Sequence, residues 1–299
     1  MDLDDERESS NVEDRRGQGG GGGGFGFPGM GGGGLQLGGR GMGCGGLAIV
    51  VVLALVFGVN PLSLLGGGGS QQAQIGQPTE QQAVPARATS DTDRFVSRVL
   101  ATTEDTWSRL FEAEVGRPYA PPKLVLFTGR VDSACGAAES AMGPFYCPAD
   151  RKVYLDQSFF DELSQRFGAP GDFAAAYVIA HEIGHHVQTL LGISDQAQSA
   201  QARASKRQGN AIQVRMELQA DCFAGVWAKA NATKLEPGDV EEAMRAASAI
   251  GDDTLQRASQ GVVVPESFTH GSSAQRTEWF MRGLKEGTIA ACDTFANSG

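Results

Sequence analysis

The sequence has no cluster of Lys or Arg: its 25 basic residues are outnumbered by 35 acidic ones, leaving a formal net charge of -10. Nucleic-acid binding needs a basic patch to neutralise phosphates, so that class of partner is excluded. The acidic balance fits a surface facing water and carries no hint of substrate. No internal repeat is visible, which excludes a solenoid. Histidine is scarce, with four in 299 residues, and three of the four fall between His181 and His186.

Apolar side chains are sparse over residues 1–46, where an acidic, charged stretch (Asp2 to Arg16) gives way to a Gly-rich tract. Such a segment buries too little surface to offset its ordering entropy, and it reads as a disordered arm. Charge is missing altogether from Leu47–Leu65, a run of 19 residues interrupted by Gly58-Val59-Asn60-Pro61. That length matches the roughly 20 residues a helix needs to cross a bilayer, so a single transmembrane helix is expected there, with lipid as its partner. A signal peptide normally starts near residue 1 and ends at a small-residue cleavage site, and neither holds. Arg15, Arg16 and Arg40 precede the run, and no Lys or Arg follows until Arg87. The positive-inside rule then puts the N-terminus in the cytoplasm and the C-terminal part on the periplasmic or extracellular side.

Cys135, Cys147, Cys222 and Cys292 follow the apolar run, and Cys44 precedes it. An even number in the exported part suits an oxidising compartment. Of three possible pairings, Cys135–Cys147 would close a short loop and Cys222–Cys292 would tie the C-terminal tail to a helix. These are favoured over four buried free thiols.

Residues 66–89, rich in Gly, Gln, Ser, Ala and Pro, read as a flexible linker to a folded domain over 90–299. Thr92 or Asp93 is placed to cap a first helix, ended by Gly116 and Pro118. Two strand candidates follow, Lys123–Thr128 and Lys152–Leu155, with Gly143–Cys147 extended just before the second. The remainder is helical: Asp172 to about Leu191 with Gly192 as the stop, Ala200 to Ala230, a helix from Asp239, and a last one from a capping box at Ser272 to Gly287. Short strands followed by helices make the expected class α+β, mainly helical, with a small antiparallel sheet.

The chemistry is concentrated in Ala180-His181-Glu182-Ile183-Gly184-His185-His186. Two His four apart on a helix share one face, and their ring nitrogens reach a single ion at about 2.0–2.1 Å. Glu182, at the edge of that face, is placed to act as general base on metal-activated water. Hydrolytic zinc takes a third protein ligand from elsewhere, and Glu217-Leu218-Gln219-Ala220-Asp221 supplies it. Glu217 is the expected ligand, and Asp221, one turn on, the acceptor for the free ring N–H of a ligand His. His186 points about 100° away from His185 and is not expected to bind metal. His270, in a Gly/Ser-rich turn, either donates to the oxyanion of the reaction or only braces that turn.

The combination of HExxH with a downstream ExxAD resembles the gluzincin metallopeptidases. More narrowly, the chain resembles a bacterial family of neutral zinc metallopeptidases, usually anchored by one N-terminal transmembrane helix. The similarity is carried by Arg7–Gly17, Gly143–Asp150, Val153–Asp156, His181–His186, Glu217–Asp221 and Thr269–Ser273, and not by the Gly-rich tract. It implies a zincin-like domain with one zinc on His181, His185 and Glu217, Glu182 as base, a peptide or protein substrate and no organic cofactor. It also implies an edge strand that pairs with an extended peptide, either Gly143, Pro144, Phe145 and Tyr146 or Lys152–Leu155. A zinc-stabilised scaffold is the alternative, but a structural site closes with a fourth ligand and has no use for Glu182.

Overall fold

The computed structural model describes residues 1–17 and 90–296. The expected transmembrane run Leu47–Leu65, the linker 66–89 and the Gly-rich tract lie outside the described residues. Among the described residues no helix is long and apolar enough to cross a membrane.

Residues 1–17 depart from the disordered arm expected of 1–46. Val12–Asp14 forms a strand, β1, that lies parallel to β2 (Lys123–Phe127). Leu3 and Val12 join the hydrophobic core. Composition misled here because the arm is ordered by long-range charge pairing, which local hydrophobicity does not register. Arg16 pairs with the buried Asp93, and Arg7 with Glu104.

α1 (Asp91–Leu110) begins two residues earlier than the expected caps allow, because the Ser90 hydroxyl accepts the Asp93 N–H at 3.0 Å. Val96, Val99, Leu100, Trp107 and Leu110 form its buried stripe. A single π turn, Phe111–Val115, closes at Gly116 with φ 73°. β3 (Arg130–Ser133) and β4 (Gly136–Glu139) make an antiparallel hairpin with Cys135 in its turn. β5 (Phe145–Cys147) and β6 (Lys152–Asp156) complete a four-stranded sheet in the order β1-β2-β6-β5.

That sheet is mixed rather than antiparallel. β2 and β6 run parallel with Leu124 beside Val153, and only β5 runs antiparallel, with Phe145 beside Tyr154. The long excursion through β3 and β4 returns the chain to the start of the sheet, and a crossover of that length permits parallel pairing. Alternation along the strands separates two apolar faces. Leu124, Leu126, Val153 and Leu155 face the helices, while Val125, Phe127 and Tyr154 meet the hairpin and Cys147.

α2 (Ser158–Gln165) leads to the motif helix α3 (Asp172–Leu190), which ends at Gly192 with φ 76°. The stretch expected as one helix over 200–230 is divided. α4 (Ile193–Gln201) stops short, and Ser205 starts α5 (Lys206–Ala230) with a capping box to Gln208. α6 (Asp239–Ala249), α7 (Asp252–Gln260) and α8 (Ser273–Glu286) complete the body, the last capped by Ser272 and Gln275 as the sequence indicates. α5 and α8 touch backbone to backbone: a Cβ at Gly225 would stand 2.0 Å from the Phe280 carbonyl oxygen, and one at Gly283 1.9 Å from that of Cys222.

Both disulfides pair as the sequence favours, Cys135 with Cys147 and Cys222 with Cys292. The second spans 70 residues and pins the C-terminal tail to α5, where Gln219 also donates to the Cys292 carbonyl at 2.9 Å. Replacing Cys222 and Cys292 together by Ser should lower unfolding stability by about 4 kcal/mol, as loop entropy for that span requires. Denaturant titration under oxidising conditions measures it, and an unchanged midpoint would contradict a cross-linked tail.

Candidate metal centre

α3 and α5 cross where neither carries a bulky side chain. A Cβ on Gly184 would stand 3.0 Å from both the Cα and the carbonyl oxygen of Ala220. The glycine inside the HExxH segment and the alanine inside ExxAD are therefore two halves of one contact. Through it, Glu217 on α5 reaches the two histidines on α3.

The three donors converge. Glu217 Oε2 lies 3.2 Å from His181 Nε2 and 3.5 Å from His185 Nε2. Donors bound at about 2.0–2.1 Å around a tetrahedral ion stand roughly 3.3–3.4 Å apart, so this set fits zinc. The opposite ring nitrogens are engaged: His181 Nδ1 bonds Asp221 at 2.8 Å, and His185 Nδ1 bonds the amide oxygen of Gln188 at 2.9 Å. Each of these acceptors requires Nδ1–H, which leaves both Nε2 atoms as lone pairs for the ion.

Asp221 is the anionic hub behind the site. It is completely buried and accepts from His181, from Tyr177 Oη at 2.5 Å, and from both Nε and Nη2 of Arg276 at 2.8 and 2.9 Å. Burial alone would raise its pKa, but Arg276 and His181 outweigh burial and hold it at about 2. At His181 burial opposes a charged ring, yet Asp221 and Glu217 prevail and lift the pKa to about 9. The same negative field that favours a proton there also favours a divalent cation.

Glu182 is buried in the same cleft but is not one of the convergent donors. Burial pushes its pKa upward, against the two histidines and the nearby Tyr146 backbone. Among the described residues β5 is an edge strand of the sheet, beside α3, and Gly143 and Pro144 lead into it. Lys152–Leu155, the other substrate-strand candidate, lies between β2 and β5 and has no free edge. The cleft has a volume of about 170 Å³ and is lined by all three donors, Glu182, His270, Pro144, Phe145 and Tyr146. Its apolar walls come from Met142, Phe159, Phe167, Val178, Ile250 and Leu255.

His270 faces this cleft and is also braced. Asp252 Oδ2 accepts the backbone N–H groups of Thr269, His270 and Gly271 at 2.6–3.1 Å, and Oδ1 lies 3.2 Å from His270 Nδ1. His186 packs away from the centre, as expected. Its Nε2 donates to the Ala120 carbonyl at 2.7 Å, and its Nδ1 accepts from Tyr146 Oη at 3.1 Å. Among the described residues one other carboxylate trio, Asp172, Asp239 and Glu242, lies close enough to share an ion. Its charges are engaged, two by the Met1 amino group and the third by the Phe173 N–H.

Arg276, Gln188, Asp252 and Tyr177 escaped the sequence reading. Arg276 alone left a trace: with Phe280 and Gly283 it occupies the buried stripe of α8, where an arginine needs an anionic partner. Gln188 sits one turn beyond His185 but resembles any helical glutamine. Asp252 begins a helix that the sequence reading did not recognise.

Gly184→Ala should favour the isolated helix by up to about 1 kcal/mol and yet weaken zinc binding roughly 10-fold or more, by pushing α5 and Glu217 away. Competitive chelator titration reads the affinity, and unchanged binding would refute the close-contact account. Burial is the main force that lowers the His186 pKa from 6.5 to about 4. The unfolded chain therefore binds a proton that the folded chain refuses, and stability falls as pH drops from about 6.5 to 4. Over that window the parent should lose about 3 kcal/mol more than a His186→Gln variant in urea titrations. Equal losses would contradict a buried neutral ring.

Comparisons place this chain in a wider group. The chain is 50% identical over 297 residues to Escherichia coli K12 "Uncharacterized protein YpfJ", covering 98% of each chain. It is 42% identical over 266 residues to Mycobacterium tuberculosis H37Rv "Uncharacterized protein Rv2575", covering 81% of this chain and 85% of that protein. No solved structure matches it. The model of the family described as "Putative neutral zinc metallopeptidase" matches residues 1–295, and the chain belongs to that family.

Proposed function

We propose that the protein is a zinc-dependent endopeptidase that cleaves extended polypeptide, with His181, His185 and Glu217 holding one zinc ion and Glu182 as general base. One observation carries the reading: a three-donor set shares its cleft with a fourth carboxylate, Glu182, that is not among the donors. A structural zinc site would use a fourth protein ligand instead.

When bound, zinc supplies the Lewis acidity that activates water and polarises the scissile carbonyl. The protein's own groups do the rest. A substrate strand pairs with the edge of β5, whose Phe145 and Tyr146 line the same cleft as Glu182. The Glu182 carboxylate takes the proton of the attacking water and delivers it to the leaving amine. Burial raises its pKa and so improves its return of that proton. His270, with Nδ1 engaged by Asp252, turns Nε2 toward the oxyanion that develops on the substrate. The apolar walls favour bulky apolar side chains next to the cleaved bond.

The two disulfides support an extracytoplasmic location for this body. The uncharged run Leu47–Leu65 supports attachment to a bilayer.

Glu182→Gln should retain zinc at the parent's stoichiometry while cleavage of unfolded protein substrates falls at least about 100-fold. Metal analysis alongside a fluorogenic casein assay decides it. Undiminished cleavage removes Glu182 from the mechanism, and zinc without cleavage in the parent favours a scaffold.

A further inference from the structure

We infer that residues 1–17 and the zinc-binding body lie on the same side of the membrane, and that Leu47–Leu65 does not carry the chain across it. This replaces the single-pass arrangement with a cytoplasmic N-terminus that the sequence suggests. It is independent of whether the protein cleaves peptides.

The N-terminal segment is part of the sheet, not a neighbour of it. Leu124 N–H donates to the Asn11 carbonyl and Arg15 N–H to that of Leu126, both at 2.8 Å, in register with Val12 beside Leu124. Ser9 exchanges bonds with Ser97 of α1, N–H to carbonyl and hydroxyl to carbonyl, each at 3.2 Å. The side chains reinforce this. Arg16 grips the buried Asp93 through two nitrogens at 2.7 and 3.0 Å, and the buried Glu104 accepts from Arg7 and Asn11 at 2.8 Å each. Taking residues 1–17 to the far side of a bilayer would strip Asp93 and Glu104 of these guanidinium groups and leave β2 without its outer neighbour.

Topology then limits the intervening chain. A segment with both flanks fixed in one body crosses a membrane an even number of times. Each crossing takes about 20 apolar residues, and between Gly17 and Ser90 the sequence has a single run of that length. The run supplies material for one crossing, and flanks that share a side do not allow one. The charge bias that suggested otherwise also weakens. Arg15 is paired with Glu13 at 2.6 Å, and Arg16 with Asp14 and Asp93. These arginines are structural partners and not free flanking charges, which leaves Arg40 as the orienting residue.

Single-cysteine labelling of the full-length chain in bacterial cells tests this. In a Cys44→Ser background, exposed Asp5→Cys reports on the N-terminal segment and exposed Val262→Cys on the body. With the inner membrane intact, a membrane-impermeant maleimide should label both positions or neither. Labelling of one before lysis and of the other only after it would overturn the inference. Because a substitution can disturb folding, the unaltered chain is also treated with a zero-length carbodiimide in intact membranes. Glu13–Lys152 and Glu6–Lys234, 2.9 and 3.1 Å apart, should cross-link, and absence of both cross-links would equally overturn it.

Discussion

The architecture depends on how closely two helices approach. Where α3 crosses α5, Gly184 faces Ala220 so closely that one more carbon would stand 3.0 Å from its backbone, and this spacing sets the reach of Glu217 toward His181 and His185. Most of the remaining fold serves to hold that crossing. α8 lies on the far side of α5 at a second glycine contact, and the Cys222–Cys292 bond and the Gln219 amide tie the tail against the same helix. The sheet supports α3 from below and presents β5 as an edge strand at the cleft.

Electrostatics completes what packing begins. Three carboxylates, Glu182, Glu217 and Asp221, are buried within one small region, which is costly unless each has a partner. Their environments separate them into distinct roles. Asp221, clamped by Arg276, stays anionic and fixes a histidine; Glu217 faces two imidazoles and is held well below the usual carboxylate range, burial notwithstanding; Glu182 is raised by burial and suited to exchange a proton. Position alone thus gives similar side chains the properties suited to an orienting group, a ligand and a base.

The convergent donors and Asp221 were legible because a helix projects a fixed four-residue spacing, so His181/His185 and Glu217/Asp221 announce their faces without tertiary information. Helix ends at Gly192, Ser272 and Gly287 were legible for the same local reason. What escaped was non-local. Arg276 lies 55 residues from Asp221, Asp252 holds a turn 18 residues ahead, and β1 pairs with a strand more than 100 residues away. Residues 1–17 are the instructive case. They are too polar to read as a core element, yet buried acids on α1 supply the partners that order them.

The central claim is an open three-ligand zinc centre formed by the α3–α5 crossing. Zinc-edge X-ray absorption and anomalous diffraction on the purified full-length protein test it most directly. The account predicts one zinc bound by two imidazole nitrogens and one carboxylate oxygen from the protein, at about 2.0–2.2 Å, with no sulfur in its shell and a remaining position open to solvent. A sulfur ligand, a fourth protein ligand closing the site, or zinc located elsewhere in the molecule would contradict it.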